Sequence, residues 1–200
     1  MENALTINEE HINTIAEDRL QCVQLINGPD TTPFMIRLAR AFISSITSSQ
    51  ANELYEEQLS KILGIRNIDT KHGWDGNDDE LNEPYEYKPT KITGTNYLGA
   101  KVSINDDSMS KVNNCSPHKE GLNNENANFV IAVINQNTSE FICIYKFKER
   151  VLKQTRINKI EDGIINNVRR IVYGTNINKC IALSNEHNEG YHFWINPNSS

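Results

Sequence analysis

Apolar residues in the first third of the chain recur at steps of three and four positions, the spacing of one face of an α-helix. On this basis we predict three helices, over about 12–26, 33–46 and 52–63. Asn27-Gly28-Pro29 is a typical stop after the first helix. Pro33 suits the first position of the second helix, and Gly64 stands where a C-terminal cap is expected after the third.

After Gly64 the pattern changes to short apolar or alternating runs bounded by turn residues, which indicates β-strands. We predict strands over 65–69, 83–92, 129–134, 141–147, 180–183 and 191–195. The runs 129–134 and 141–147 are apolar almost throughout, so we expect central strands joined as a hairpin and covered on both faces. Residues 93–127 are polar and are predicted to be mostly loop, with a short helix near 107–112.

The fold class that follows is α/β (α+β), with the N-terminal helices packed on a central mixed β-sheet. Two hundred residues suit one domain with a substantial core. We therefore predict a single domain over 1–200, mainly helical in 1–64, with the sheet in 65–200. The basic stretch 148–171 should hold at least one further helix.

Composition argues for a cytoplasmic protein. No apolar stretch approaches the roughly 20 residues of a membrane span, and the N-terminus lacks the pattern of a secretion signal. The four cysteines are widely scattered, which is typical of free thiols in a reducing compartment. We expect no membrane partner.

The net charge of −6 argues against simple electrostatic adhesion to nucleic acid. The charge is uneven, however, because residues 146–170 contain eight basic and three acidic residues. A local basic surface is compatible with a DNA enzyme. A solvated helix face explains the same residues equally well.

The most informative motif is Asp75 followed by Glu86-Tyr87-Lys88-Pro89. Alternate residues of a strand point to the same face, so Glu86 and Lys88 should lie side by side. Pro89 biases Lys88 towards extended backbone. Two carboxylates and a lysine at one spot can hold a divalent metal beside a group that handles water, as metal-assisted phosphodiester hydrolysis requires. The spacing also fits an acidic surface turn followed by an edge strand with an ordinary salt bridge.

In its context this motif resembles that of type II restriction endonucleases of the PD-(D/E)xK nuclease superfamily. The resemblance covers roughly residues 50–150 and is carried by the segments 55–64, 71–76, 86–89, 104–108 and 129–147. Trp74 precedes Asp75 where the family motif has proline, although many members lack that proline. The resemblance implies a sheet of the restriction-endonuclease-like type.

The resemblance also implies a chemistry. Asp75, Glu86 and the backbone carbonyl of Tyr87 would bind Mg²⁺, a hard cation that prefers oxygen ligands. The metal would polarise the scissile phosphate, and Lys88 would orient or help to deprotonate the attacking water. The products would carry a 5′-phosphate and a 3′-hydroxyl. The implied partners are double-stranded DNA, a second copy in a homodimer, and a cognate DNA methyltransferase in the same cell.

Further residues are candidates for the same site. Glu56 is predicted to be an accessory catalytic carboxylate that reaches a metal through water, although an acid on a helix rim is an equal alternative. Lys71 and Lys91 flank the motif and are predicted to hold the DNA backbone, unless they are ordinary surface lysines. Cys115 and His118 have metal-ligand spacing, but no second pair accompanies them, so coincidence is the better interpretation.

Two other functions stay open at this stage. One is a repair or junction-resolving nuclease that recognises DNA structure rather than sequence on the same fold. The other is a non-catalytic DNA-binding domain that keeps the nuclease fold. The presence of Asp75, Glu86 and Lys88 together argues against the second, because a decayed site usually loses one of them.

Overall fold

A computed structural model describes residues 2–48, 51–68, 74–107, 126–166 and 170–198. Within these ranges the helices are α1 Thr14–Asn27, α2 Pro33–Thr47, α3 Asn52–Leu63, α4 Lys153–Ile165 and α5 Ile177–Glu186. The strands are β1 Glu2–Ala4, β2 Arg66–Asn67, β3 Gly76–Asp78, β4 Glu83–Ile92, β5 Val102–Asp107, β6 Asn128–Asn135, β7 Phe141–Lys148, β8 Arg170–Thr175 and β9 Tyr191–Ile195. Short 3₁₀ helices cover Glu9–His11 and Glu149–Leu152.

The ends of the first three helices follow from local sequence, and the predictions for them are confirmed. The Thr32 hydroxyl accepts a hydrogen bond from the backbone N–H of Met35, which caps α2 before Pro33. Gly64 takes a left-handed φ of 68° at the end of α3. This conformation costs glycine little.

Seven strands form one mixed sheet in the order β1-β9-β7-β6-β4-β3-β2. Strands β4 and β6 are parallel neighbours, whereas β6 and β7 form the antiparallel hairpin that the sequence predicts. Strands β5 and β8 pair with each other as a separate two-stranded antiparallel sheet. The coarse prediction of helices packed on a mixed sheet is therefore confirmed.

The large sheet is covered on both faces. Tyr87, Val130 and Ile144 point to one face and pack in a core with α3 and its neighbours. Phe129, Ile131, Tyr145 and Phe147 point to the other face, where β5, the 3₁₀ helix 149–152 and α5 cover them. The result is three layers, and the prediction that β6 and β7 are doubly covered is confirmed.

The prediction of a strand over 180–183 is wrong, because these residues lie within α5. The Asn176 side chain accepts from the N–H of Lys179 and caps this helix. Ile177, Cys180 and Ser184 are buried at helical spacing. The apolar run Cys180-Ile181-Ala182-Leu183 is too short to separate a strand from one helical turn by periodicity.

The prediction that 93–127 is mostly loop is also wrong in part. Residues 102–107 form β5, whose partner β8 lies about seventy residues further along the chain. The helix predicted near 107–112 lies outside the described residues, except for Asp107, which ends β5. Strands β1, β3 and β8 were not predicted either.

Three cysteines within the described ranges are free thiols. Cys143 and Cys180 are buried, whereas Cys22 is half-buried on α1. Cys115 lies outside the described residues. None of the helices in the described ranges is long and apolar enough to cross a membrane.

A charged pair is enclosed on the second face of the sheet. Arg156 on α4 donates a hydrogen bond to Glu149, and both side chains are only 1% exposed. Glu149 follows directly on β7, and its backbone N–H donates to the carbonyl of Ala127 at 2.9 Å. A buried pair of this kind ties helix to sheet, but it leaves an uncompensated charge if either partner is removed.

Replacement of Arg156 by alanine is expected to lower the free energy of unfolding by about 3–5 kcal/mol, because Glu149 would stay buried without its partner. Urea denaturation followed by circular dichroism measures this. Lys61→Ala is the matched control, since Lys61 forms an exposed ion pair with Glu57 on α3, worth about 0.3–0.5 kcal/mol. Equal losses in the two variants would contradict the burial argument.

Candidate active site at the start of strand β3

The structure brings Asp75, Glu86 and Lys88 together at the edge of β4. Asp75 immediately precedes β3, and its backbone N–H donates to the carbonyl of Tyr85 at 2.9 Å. Its carboxylate oxygen Oδ2 accepts from the backbone N–H of Tyr87 at 2.6 Å. Asp75 is thus fixed to β4 by both main chain and side chain, next to Glu86 and Lys88.

The site forms here because β3 is short. It pairs with β4 only from Glu83 to Tyr85, so the ladder on this side of β4 ends before Tyr87. A backbone N–H without a partner in a partly buried position is costly. The Asp75 carboxylate accepts a hydrogen bond from the N–H of Tyr87. In a longer β3, the backbone of one more residue would have accepted this bond.

Lys88 lies against the residues that precede it on β4. Its ammonium donates to Glu86 Oε1, and it also donates to the carbonyl oxygen of Tyr87 at 3.1 Å. Glu86 is nearly enclosed, with 6% of its surface exposed. The ammonium therefore contacts two of the three predicted metal ligands, the Glu86 carboxylate and the Tyr87 carbonyl. In this structure it takes the place that a metal cation would have on these two groups.

The carboxylates of the site repel one another. The pKa of Asp75 is raised to about 8, chiefly by burial and then by the charge of Glu86, with a smaller contribution from Glu56. Lys88 and the N–H of Tyr87 oppose this rise only in part. Burial would lower the pKa of Lys88, but the charges of Glu86, Asp75 and Glu56 outweigh burial and raise it. The site holds more acidic than basic side chains.

Glu56 lies on α3 within electrostatic range of this group. Burial raises its pKa, as do the charges of Glu86 and Glu53, while Lys88 lowers it. No hydrogen bond joins Glu56 to the other site residues in the described part of the chain. The structure places Glu56 beside the site, and its role as an accessory ligand stays a prediction.

Lys91 is engaged by the protein itself. Its ammonium donates to the carbonyl of Ser48 at 2.6 Å and lies 5.1 Å from the centre of the Tyr55 ring. Burial lowers its pKa. These contacts tie β4 to the end of α2, so the prediction of a DNA contact gains no support from its position. Lys71, Cys115 and His118 lie outside the described residues.

The basic stretch 146–170 is less open than its composition indicates. Lys148 pairs with Glu83, Arg150 pairs with Glu189, and Arg156 is buried against Glu149. Lys146 lies over the Tyr85 ring. Internal ion pairs and contacts therefore involve much of the positive charge of this stretch, and a basic surface that faces DNA stays a prediction.

Sequence reasoning missed two residues that support the site, Ser60 and Glu149. Ser60 on α3 and the Tyr87 hydroxyl are hydrogen-bonded at 3.2 Å. Burial raises the pKa of Glu149 to about 7, against the influence of Arg156, and the charges of Glu86 and Lys88 act on it as well. Glu149 could have been singled out as the acid that directly follows the apolar strand β7. Ser60 carries no such signal.

Comparisons with known proteins give no family. No protein-family model matches the chain, and no curated protein does. Among the described residues, no three or more His, Cys, Asp or Glu side chains are grouped so that they could hold a metal ion. The predicted metal site differs from such a group, because it uses two carboxylates and a backbone carbonyl. The resemblance to PD-(D/E)xK nucleases therefore stays a prediction from the sequence.

Position 76 requires glycine, because the Tyr87 side chain lies close to its Cα atom. A Cβ atom at this position would lie 2.6 Å from the Tyr87 hydroxyl and 3.0 Å from Ile65 Cγ2.

Gly76→Ala is expected to lower the free energy of unfolding by about 1–3 kcal/mol, because the buried Tyr87 ring has to move. Thermal melts measure the loss. Gly94→Ala is the control, since nothing lies within 4 Å of its Cβ position; equal losses would refute the clash.

The raised pKa of Asp75 predicts a pH-dependent stability. Its ordinary value is about 3.9, so the folded chain holds a proton there that the unfolded chain loses. Its stabilising effect is complete below pH 4 and is lost as the pH rises through about 8. Asp75→Asn should therefore gain stability over the wild type as the pH rises from about 4 to 8, and the gain should level off above that.

This gain is measured as the difference in melting temperature between Asp75→Asn and the wild type, in EDTA, from pH 4 to pH 9. The exposed Asp30 provides the control variant Asp30→Asn, which should show no such trend. A difference between Asp75→Asn and the wild type that does not vary with pH would show that Asp75 is not held neutral in the folded protein.

Proposed function

We propose that this protein is a Mg²⁺-dependent endonuclease of the PD-(D/E)xK type, which cuts double-stranded DNA at a short specific sequence as a type II restriction enzyme. The observation that carries the proposal is the convergence of Asp75, Glu86 and Lys88 at the edge of β4. These three residues are the motif on which the sequence resemblance rests. Their proximity supports the interpretation of the motif as one site.

The donor atoms of the site suit a small hard cation. Asp75 and Glu86 supply carboxylate oxygens, and Tyr87, whose N–H binds Asp75, supplies a backbone carbonyl. Mg²⁺ prefers such oxygen ligands and keeps several waters. A cation would also offset the burial and the neighbouring negative charge that raise the pKa of Asp75. When bound, Mg²⁺ would supply Lewis-acid polarisation of the scissile phosphate and a more acidic water.

The protein's own residues prepare the site for this chemistry. The hydrogen bond from the N–H of Tyr87 orients the Asp75 carboxylate, which limits the reorganisation of this group during reaction. Lys88 holds a proton at Nζ, stabilised by the surrounding carboxylates. Release of Lys88 from Glu86 would let its ammonium orient the attacking water and offset charge on the phosphate. Glu56 would add a carboxylate on the α3 side.

The partners of the proposed enzyme follow from the reaction. Duplex DNA is the substrate, and a homodimer would place one site on each strand of a palindromic sequence. A cognate DNA methyltransferase in the same cell would protect that sequence. Products would carry a 5′-phosphate and a 3′-hydroxyl.

The test is digestion of unmethylated phage and plasmid DNA with Mg²⁺ and, in parallel, with EDTA. Discrete fragments are expected with Mg²⁺ only. Lys88→Ala should lower the rate by about 10²–10⁴, the usual contribution of a group that handles a proton in the transition state. The control Lys179→Ala replaces an exposed lysine on α5 and should leave the rate unchanged.

The other outcomes separate the alternative functions. Cleavage of branched or junction DNA, while linear duplex stays intact, would show that the enzyme recognises DNA structure rather than sequence. DNA binding without cleavage under any metal would refute catalysis. Equal activity of Lys88→Ala and the wild type would exclude the proposed site.

A further inference from the structure

A buried carboxylate with one unpartnered oxygen lies near the candidate site. Glu149 follows directly on β7, and its side chain is 1% exposed. Its oxygen Oε1 accepts a hydrogen bond from Arg156. Its second oxygen, Oε2, is enclosed and has no hydrogen-bond partner within the described part of the chain. An enclosed carboxylate oxygen without a partner is costly, so its retention in a folded protein requires an explanation.

The strand register places Glu149 on the same face of the sheet as Glu86. Glu86 lies opposite Phe129 on β6, and Phe129 lies opposite Phe147 on β7. Opposite residues share a face, as do residues two apart on one strand. Glu149 is two residues beyond Phe147, and its backbone N–H continues the ladder by donating to the carbonyl of Ala127 at 2.9 Å. Glu149 and Glu86 therefore start from one face, two strands apart.

The electrostatics agree with this placement. Burial raises the pKa of Glu149 to about 7, the charge of Arg156 opposes the rise, and the charges of Glu86 and Lys88 act on the carboxylate as well. The residue between Glu149 and β4 on this face is the buried Ala127, whose methyl group leaves more room between the strands than a larger side chain would. The Glu149 carboxylate is thus within electrostatic range of two residues of the candidate site.

The chemistry of the proposed metal supplies a partner for the enclosed oxygen. Protein-bound Mg²⁺ retains several water molecules, and groups that hydrogen-bond to the ligand shell from outside orient that shell. We propose that Glu149 is a positioning residue of the candidate metal site, and that its Oε2 accepts a hydrogen bond from a water molecule of the Mg²⁺ ion held by Asp75 and Glu86. Arg156 binds the other oxygen and so fixes the carboxylate.

An indirect contact fits the structure better than direct ligation by Glu149. Among the described residues, no three His, Cys, Asp or Glu side chains are grouped closely enough to hold a metal ion. The role rests on the proposed function, because it requires the metal site of Asp75 and Glu86. The competing explanation is that the Glu149–Arg156 pair only ties α4 to the sheet, in which case its replacement alters stability and leaves the metal affinity unchanged.

The test is a titration of the purified chain with Mn²⁺ at pH 8 without DNA, in which electron paramagnetic resonance measures the free ion. Mn²⁺ takes the same carboxylate, carbonyl and water ligands as Mg²⁺. In Glu149→Gln the amide oxygen still accepts from Arg156, but an NH₂ donor replaces Oε2. We expect the dissociation constant for Mn²⁺ to rise about 10–100-fold, the usual effect of losing an outer hydrogen-bond partner.

Glu83→Gln is the matched control. Glu83 is also a partly buried acid in an ion pair, bonded to Lys148 at 2.9 Å. It lies three positions before Glu86 on β4 and so points to the opposite face. Its replacement should leave the Mn²⁺ affinity unchanged. Equal weakening by Glu83→Gln and Glu149→Gln would show a general effect of charge and overturn the proposed contact.

A double variant separates metal binding from stability. Glu149→Leu combined with Arg156→Met replaces the buried pair by apolar side chains, a change that is often neutral or stabilising. Urea denaturation should show a folded protein, and its Mn²⁺ affinity should be as low as that of Glu149→Gln. Wild-type affinity in either of these variants overturns the proposal.

Glu86→Gln distinguishes a failure of this role from a failure of the proposed function. Loss of Mn²⁺ binding in Glu86→Gln, with wild-type binding in Glu149→Gln, refutes the role of Glu149 and leaves the enzyme standing. Weakened binding in Glu149→Gln, with no DNA cleavage by the wild type, supports the role and refutes the nuclease. A wild-type chain that binds no Mn²⁺ refutes both.

Discussion

The register between β4 and β6 is the constraint on which both the core and the candidate site depend. Residues Tyr85 to Ile92 lie opposite Asn128 to Asn135 without a break. Because Tyr87 is enclosed in the core beneath α3, Glu86 and Lys88 must point to the other face. A slip of one residue would exchange the faces of every side chain on β4. Apolar packing of the neighbours, rather than attraction among the charges, therefore decides where the charged groups lie.

This placement has an energetic cost. Burial and the charge of Glu86 raise the pKa of Asp75, and Lys88 compensates only in part. Glu149 and Arg156 bring a second buried pair close enough to act on the same groups. Apolar residues of similar volume would often stabilise a protein at least as well as a buried pair. Clusters of strongly perturbed groups are characteristic of functional sites, although structural networks also produce them.

Those elements in which apolar residues recur at a regular spacing were predictable from sequence. Helices α1 to α3 were found with their ends, because apolar spacing, Pro33 and Gly64 agree. The E-x-K pair was placed correctly because strand parity alone puts both side chains on one face. Strand β3 was missed because three residues have no period, and β5 because its partner is distant in sequence. The Glu149–Arg156 pair was counted as surface charge, since burial of a charge depends on tertiary packing.

Helix α3 connects the core to the charged groups more directly than its sequence indicates. Glu56 and Ser60 are four residues apart and so lie on one face of the helix. Ser60 contacts the Tyr87 hydroxyl, and the same hydroxyl fills the space above Gly76, the residue after Asp75. The position of α3 therefore sets the positions of Tyr87 and Asp75 together, and it sets how near Glu56 comes to them.

Lys91 extends this connection from β4 to the end of α2, through its hydrogen bond to Ser48. Helix α2 in turn packs on α1 in the hairpin that exposes Phe34 and Leu38. A series of contacts thus runs from the hairpin of α1 and α2 through Lys91 to β4. Because packed interiors transmit small displacements with little compression, the packing of α2 affects the position of the strand that carries Glu86 and Lys88.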